Sequence, residues 1–205
     1  MAEALNDTQA NLQIRSQELF ELDRDALYRR TDLLFAGLMV FQWLGAITMA
    51  FAVSPRTWIG ESSSVHVHIW AAIVLGGLLT ALPVLLVALQ PGRASTRQVI
   101  AVSQTLFSAM LIHLSGGRIE THFHVFGSLA FLAFYRDWKV LLTATVIIAA
   151  DHFLRGMFWP QSVFGVLTSS NWRWLEHAAW VVFEDIILVA SCRQGVSEMK
   201  KVALR

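Results

Sequence analysis

A single cysteine in 205 residues, Cys192, leaves no partner for a disulfide within the chain and none of the cysteine spacings of a structural metal site. An excess of one charge is missing as well. Sixteen Lys and Arg stand against 15 Asp and Glu, a formal net charge of +1 that singles out no charged partner. No basic cluster interleaved with aromatics suggests nucleic acid. There is no internal repeat, no low-complexity tract, and no early apolar stretch followed by a small-residue cleavage site, as a secretory signal would have. The first thirty residues are polar and charged, so the N-terminus is expected to stay cytoplasmic. No His-Glu-x-x-His run marks a metalloprotease-type helix. No repeated Gly/Pro break at mid-span suggests a transporter.

What remains is apolar. Hydrophobic residues make up 55% of the chain, with eight Trp and a mean hydropathy of +0.52, outside the soluble globular range. A span needs roughly 20 mostly apolar residues to cross about 30 Å of hydrocarbon. Six windows qualify, at about 32–53, 66–89, 98–114, 122–137, 139–159 and 174–192, the fourth being short. The fold class expected is therefore all-α, an integral membrane six-helix bundle with both termini cytoplasmic.

Charge orients the bundle independently. With the N-terminus inside, Arg15, Arg24, Arg29, Arg30, Arg93, Arg97, Arg136, Lys139, Arg193, Lys200, Lys201 and Arg205 are cytoplasmic, and only Arg56, Arg118 and Arg173 are outside. Twelve against three is a strong positive-inside bias. Trp58, Trp70, Trp159, Trp172 and Trp174 gather at the outer interface and Trp138 at the inner one.

Residues 1–31 read as a cytoplasmic N-terminal helix with an apolar stripe (Leu12, Leu19, Leu22, Ala26) that either lies on the membrane surface or packs on a partner helix. Residues 32–192 form the membrane domain, and 193–205 begin a cytoplasmic linker. Pro91-Gly92 and Ser115-Gly116-Gly117 are turns. The longest outer connection, about 160–173, is either a plain connector or a lid.

This threading sends all seven histidines to the outer surface or the outer half of the bilayer. His66 and His68 open the second span, His113 closes the third, and His122 and His124 open the fourth. His152 lies about 10 Å below the outer end of the fifth, and His177 one turn into the sixth. Glu120, Asp151 and Glu176 share the layer, and Glu184 and Asp185 lie two turns deeper. Ionisable groups cost about 2.5 kcal/mol or more in hydrocarbon and persist where they face one another or a functional cavity. Imidazole with carboxylate suits copper, zinc or non-haem iron.

Helical geometry prunes the set. His122 and His124 point about 200° apart on a regular helix, and neighbours such as Asp151 and His152, or Glu176 and His177, cannot both face one point. The expected ligands are His124, His152 and His177, with Glu120, His122, His113 and His68 as possible additions. Asp151 and Arg155, four apart, either neutralise each other or leave Asp151 for the metal. Glu184 and Asp185 pair with Arg155 or bond across helices as protonated carboxyls. Haem b held by two imidazoles is the alternative cofactor. An enzymatic alternative is a membrane metalloenzyme, a non-haem iron oxidoreductase or zinc hydrolase, with Glu120 or Asp151 as acid/base.

The segment from Ser115 to Gly127 (SGGRIETHFHVFG), followed by Tyr135–Trp138 (YRDW), Asp151-His152, Trp159–Val163 (WPQSV) and Trp172–His177 (WRWLEH), resembles a bacterial membrane input module. That module is found ahead of histidine kinase, diguanylate cyclase and chemotaxis-receptor output domains. The resemblance covers roughly residues 30–195. It implies a six-helix sensor domain of the bacterial cytoplasmic (inner) membrane and supports Glu120, His122, His124, His152 and His177 as site positions. Family members often carry His-His where this chain has Asp151-His152. The expectation is thus a sensor module cut from a longer receptor or expressed as a separate input subunit. Its partners would be the lipid bilayer, a second copy in a homodimer, a cytoplasmic output domain such as a histidine kinase, and a small ligand or gas. The sixth span would carry the signal.

Overall fold

The computed structural model describes residues 2–204. It is helical apart from one short hairpin. Helix α1 (Ala2–Val53) leads into strands β1 (Arg56–Ile59) and β2 (Ser62–Val65), then α2 (Val67–Trp70), a π-helical turn (Ala71–Leu75) and α3 (Gly76–Leu89). Helices α4 (Ala94–Leu114), α5 (Ile119–Leu132), α6 (Trp138–Phe158), α7 (Pro160–Phe164) and α8 (Arg173–Ala203) follow, with a 3-10 turn at Ala133–Tyr135. The strands are antiparallel, with Ile59 opposite Ser62, so that Gly60 at φ +61 and Glu61 form the two-residue turn.

Each of the six apolar windows falls on a helix. Three stretches are long and apolar enough by themselves to cross a membrane: Gln9–Val53, Val67–Leu89 and Trp138–Phe158. The other windows fall short for physical reasons. Helix α5 has 14 residues, about 21 Å at 1.5 Å each. Helix α8 carries Glu184 and Asp185 in its middle. Helix α4 packs against α1, α3, α5 and α6, and buries Ser103, Gln104, Thr105 and Ser108 where a lipid-facing helix would carry apolar side chains. Outward-facing positions elsewhere are apolar, among them Phe41, Val146, Trp180, Phe183 and Ile186. That is the reverse of a soluble surface.

The N-terminal stripe is not a separate surface helix, because α1 runs without interruption from Ala2 to Val53. Phe20 on its extension is buried, with Arg24 and Lys200 over its ring, which seats α1 against the end of α8. The π-helical turn leaves carbonyls that an α-helix would occupy. Trp43 Nε1 donates to one of them, Ala72 O at 3.0 Å, and shares Ile73 O at 3.2 Å with the Gly76 backbone N–H.

At the end bearing the chain termini, Asp32 is fully buried. It accepts from Gly92 N at 2.6 Å and from the Tyr135 hydroxyl at 2.7 Å. Asp137 pairs with Arg97 at 2.8 Å. The YRDW segment is therefore a structural knot between α1, α4 and α6.

Candidate functional site

Helix α5 begins at Ile119, so His122 lies in its first turn and faces α6 and α8, whereas His124 faces α4. His122, His152 on α6 and His177 on α8 converge. Their ring centroids form a near-equilateral triangle with sides of 5.4 Å (His122 to His152), 5.3 Å (His122 to His177) and 5.6 Å (His152 to His177).

All three rings are held in the same way. Each Nδ1 lies against the carbonyl one turn back on its own helix: Arg118 O at 2.9 Å, Ile148 O at 3.1 Å and Arg173 O at 3.1 Å. A carbonyl only accepts, so each Nδ1 is the donor, and Nε2 is the ring nitrogen left to face other groups. Nε2 of His122 is buried with no partner. A cavity of about 280 Å³ opens beside the triangle, with apolar walls from Val125, Phe126, Ile148 and Val181, and with Glu176 and Thr145 contributing polar groups.

The segment after α6 closes the site. Helix α7 buries Ser162, Val163 and Phe164, and the Phe164 ring packs on His177 (5.1 Å) and His152 (6.3 Å) with Arg173 on it at 5.3 Å. Two glycines make room. At Gly156 a Cβ would meet Phe164 Cε2 at 2.9 Å, and at Gly117 it would lie 2.3 Å from Gly165 N. The connection is thus a docked cap rather than a free loop.

Arg155 locks the cap to the bundle. Its Nε and one terminal nitrogen grip both oxygens of Asp151 at 2.8 and 2.6 Å, the other donates to Ser162 Oγ at 2.9 Å, and a further bond reaches Ala109 O at 3.2 Å. Asp151 also lies 3.3 Å from His152 Nδ1. Of the two readings for Asp151, the structure favours the ion pair, since both oxygens are occupied. Arg155→Leu strands a buried carboxylate. We expect it to cost about 3–5 kcal/mol, measured by thermal denaturation in detergent, with Asp151→Asn added to it recovering much of the loss.

The remaining candidates lie elsewhere. His124 belongs to a buried polar chain: Nδ1 meets Ser108 Oγ at 2.8 Å and Ser128 Oγ at 3.3 Å, Nε2 meets Gln42 Nε2 at 3.1 Å, and Gln104 reaches Ser128 at 3.0 Å. Both its ring nitrogens are engaged. His124→Ala leaves these partners unsatisfied, an expected loss of about 1–3 kcal/mol without loss of a ligand at the triangle. Metal content and melting temperature of the one variant test both halves.

His66, His68 and His113 form a second row, with centroids 4.2 and 4.9 Å apart, ending on Trp159 at 5.0 Å. His113 Nδ1 meets Ser162 Oγ at 2.8 Å, which joins this row to Arg155. Glu120 is exposed in the first turn of α5 and takes no part in the cavity wall. Glu184 and Asp185 lie deeper on α8, where Asp185 accepts from the Thr145 hydroxyl and neither pairs with Arg155.

Sequence reasoning missed Phe164, Ser162 and the Gln42, Gln104, Ser108 and Ser128 chain. Polar residues four apart inside apolar windows, Gln104 with Ser108 and His124 with Ser128, were the available signal.

Among the described residues, no three His, Cys, Asp or Glu side chains are already disposed to hold a metal ion. Only the centroid separations match those of three imidazoles around an ion. Nitrogens at 2.0–2.1 Å around a tetrahedral to trigonal ion place imidazole centroids about 5.2–5.5 Å apart. What differs is ring orientation: with each Nδ1 on its carbonyl, the three Nε2 atoms do not already converge on one point.

Among curated proteins, the chain is similar to Transducer protein Htr8 of Halobacterium salinarum, with 32% identity over 87 residues. That stretch is 41% of this chain and 14% of the transducer, so the chain matches only a small part of that relative. The similarity relates the chain to a signalling transducer. No family model and no solved structure matches.

Proposed function

We propose that the chain is the membrane-embedded input module of a signal-transduction receptor, and that the site it reads from is the capped His122–His152–His177 triangle. Six spans thread the cytoplasmic membrane with both termini inside, and the hairpin, cap and histidines lie at the outer end. A transition metal ion, copper, zinc or iron, would be held by His122, His152 and His177, and the apolar cavity beside them would take a small ligand or gas. The module acts as a homodimer, and α8 carries the change to a cytoplasmic output domain such as a histidine kinase.

The observation that carries this reading is the common arrangement of three imidazoles from three helices. Each has its Nδ1 proton fixed on a backbone carbonyl, the support that metal-bound histidines almost always have. His177 lies on the helix that runs on to Ala203, so a ligand that favours one ring arrangement over another biases the position of α8.

The test joins α8 in frame to a receptor kinase domain in proteoliposomes and compares output with metal added or chelated. A several-fold change that disappears in His177→Ala supports the proposal; output that ignores metal in the wild-type chimera overturns it. The cavity supports a small ligand over haem b, because about 280 Å³ is below the usual 300–1,000 Å³ range of drug-sized sites.

A further inference from the structure

A groove of about 720 Å³ lies at the end opposite the histidines, between α1, the 3-10 turn after α5, and α8. Its lining changes character along its length. Leu34, Phe134 and Leu188 line the half toward the middle of the bundle, and Arg30, Arg136 and Gln194, with Leu27 and Glu198, the half toward the chain termini. Leu34 and Phe134 are 46% and 51% exposed, so the apolar half is open to the surroundings.

The two guanidiniums have no carboxylate partner among the described residues, unlike Arg97 with Asp137 and Arg155 with Asp151. Glu198 also lines the groove at that end, a carboxylate that accepts from Gln194 Nε2 at 2.9 Å. Arg136 is held in place at some cost. It is the single non-glycine residue at positive φ (+53) among those described, and its stem fills the space where a Cβ on Gly195 would sit 2.9 Å from Arg136 Cδ. One terminal nitrogen donates to Gly195 O at 3.2 Å, and no other bond from this guanidinium is formed.

We propose that this groove binds an anionic phospholipid of the inner leaflet, with the phosphate between Arg30 and Arg136 and an acyl chain along Leu34, Phe134 and Leu188. The inference rests on the membrane orientation proposed above. A guanidinium presents a fork of donors matched to phosphate oxygens, and basic pockets between spans on the cytoplasmic side suit anionic headgroups. The apolar half excludes a soluble anion as the better fit, because it would remain uncovered. A lipid seated here touches α1 and α8 at once, the two helices that leave the bundle at this end.

The experiment is native mass spectrometry of the detergent-purified chain, titrated with phosphatidylglycerol or with phosphatidylcholine of the same acyl chains. The wild type is expected to retain phosphatidylglycerol at least tenfold better. Arg30→Gln with Arg136→Gln should cut that retention about tenfold and leave phosphatidylcholine unchanged. Arg30→Gln alone, an exposed side chain without structural bonds, should give a partial loss and covers the case in which the double variant does not fold. Equal retention of the two lipids overturns the proposal, as does retention that ignores both variants. Displacement by millimolar inorganic phosphate overturns the lipid as the source of the anion. A lipid-free dimer that the double variant dissociates assigns the groove to a second copy and overturns it too. Orientation is read separately, by labelling Ser197→Cys in a Cys192→Ser background with an impermeant maleimide on intact cells. Labelling from outside overturns the orientation while leaving the lipid preference measured in detergent as it stands.

Discussion

Replacing His152 with alanine is expected to abolish stoichiometric metal binding, weakening affinity by about 100-fold or more, since loss of even a hydrogen-bond partner behind a ligand costs 10–100-fold. His122→Ala and His177→Ala should do the same, because the three rings are within 0.3 Å of equidistant and none duplicates another. The decisive comparison is with His124→Ala and Glu120→Ala. Both belong to the ligand set read from the sequence, and neither side chain enters the triangle. Elemental analysis of the purified variants, with zinc or copper titrated into stripped protein, gives the answer. Binding lost in His124→Ala and kept in His122→Ala would overturn the site. So would a wild type that takes up no metal.

The second large effect concerns the cap. Gly117→Ala introduces a Cβ 2.3 Å from Gly165 N and 2.9 Å from the Phe164 carbonyl carbon, both backbone atoms that cannot yield as a side-chain tip would. Gly117 also has φ +76, so the substitution is strained on its own account, by about 1 kcal/mol or more. The cap must therefore lift. Amides of residues 161–166 are expected to exchange with deuterium at least tenfold faster, while those of α4 and α6 keep wild-type rates. Phe164 then leaves His152 and His177, and any ligand in the cavity should dissociate correspondingly faster. Unchanged exchange over the cap would mean that the two glycine loops are not latched to each other in solution. Gly116, where a Cβ meets nothing within 4 Å, has nearly the same φ of +72 and supplies the control for backbone strain alone.

Much of this arrangement could be read from the chain before any coordinates. The apolar windows located the helices because burial and lipid exposure both select apolar side chains, whichever applies. The same ambiguity explains why α4 falls short as a membrane span by itself: its Gln104 and Ser108 are polar because they face protein. At the site, the two-residue offset showed that His122 and His124 could not share a point. Which of them turns toward α6 and α8 depends on how α5 rolls against α4. That roll is fixed where His124 on α5 meets Ser108 on α4, a tertiary match with no local signature. Whether residues 160–173 were a plain connector or a lid stayed open for a related reason. Residues 160–173 look like an ordinary polar connection, and only the approach of Gly117 to Gly165 across 48 positions reveals that the segment is held down. The i, i+4 spacing of Asp151 and Arg155, by contrast, announced their pair, because both partners lie on one helix.

The bonds from Asp32 to Gly92 and Tyr135 give α1 a fulcrum. At 1.5 Å per residue the arm from Asp32 to Val53 measures about 32 Å, and the arm from Asp32 back to Ala2 about 45 Å. A rigid rod pinned there multiplies displacement by about 1.4 and reverses its direction. A sideways shift of about 2 Å where α1 meets the hairpin would swing the far tip by about 3 Å the other way, more than half of the 5.4 Å helical pitch.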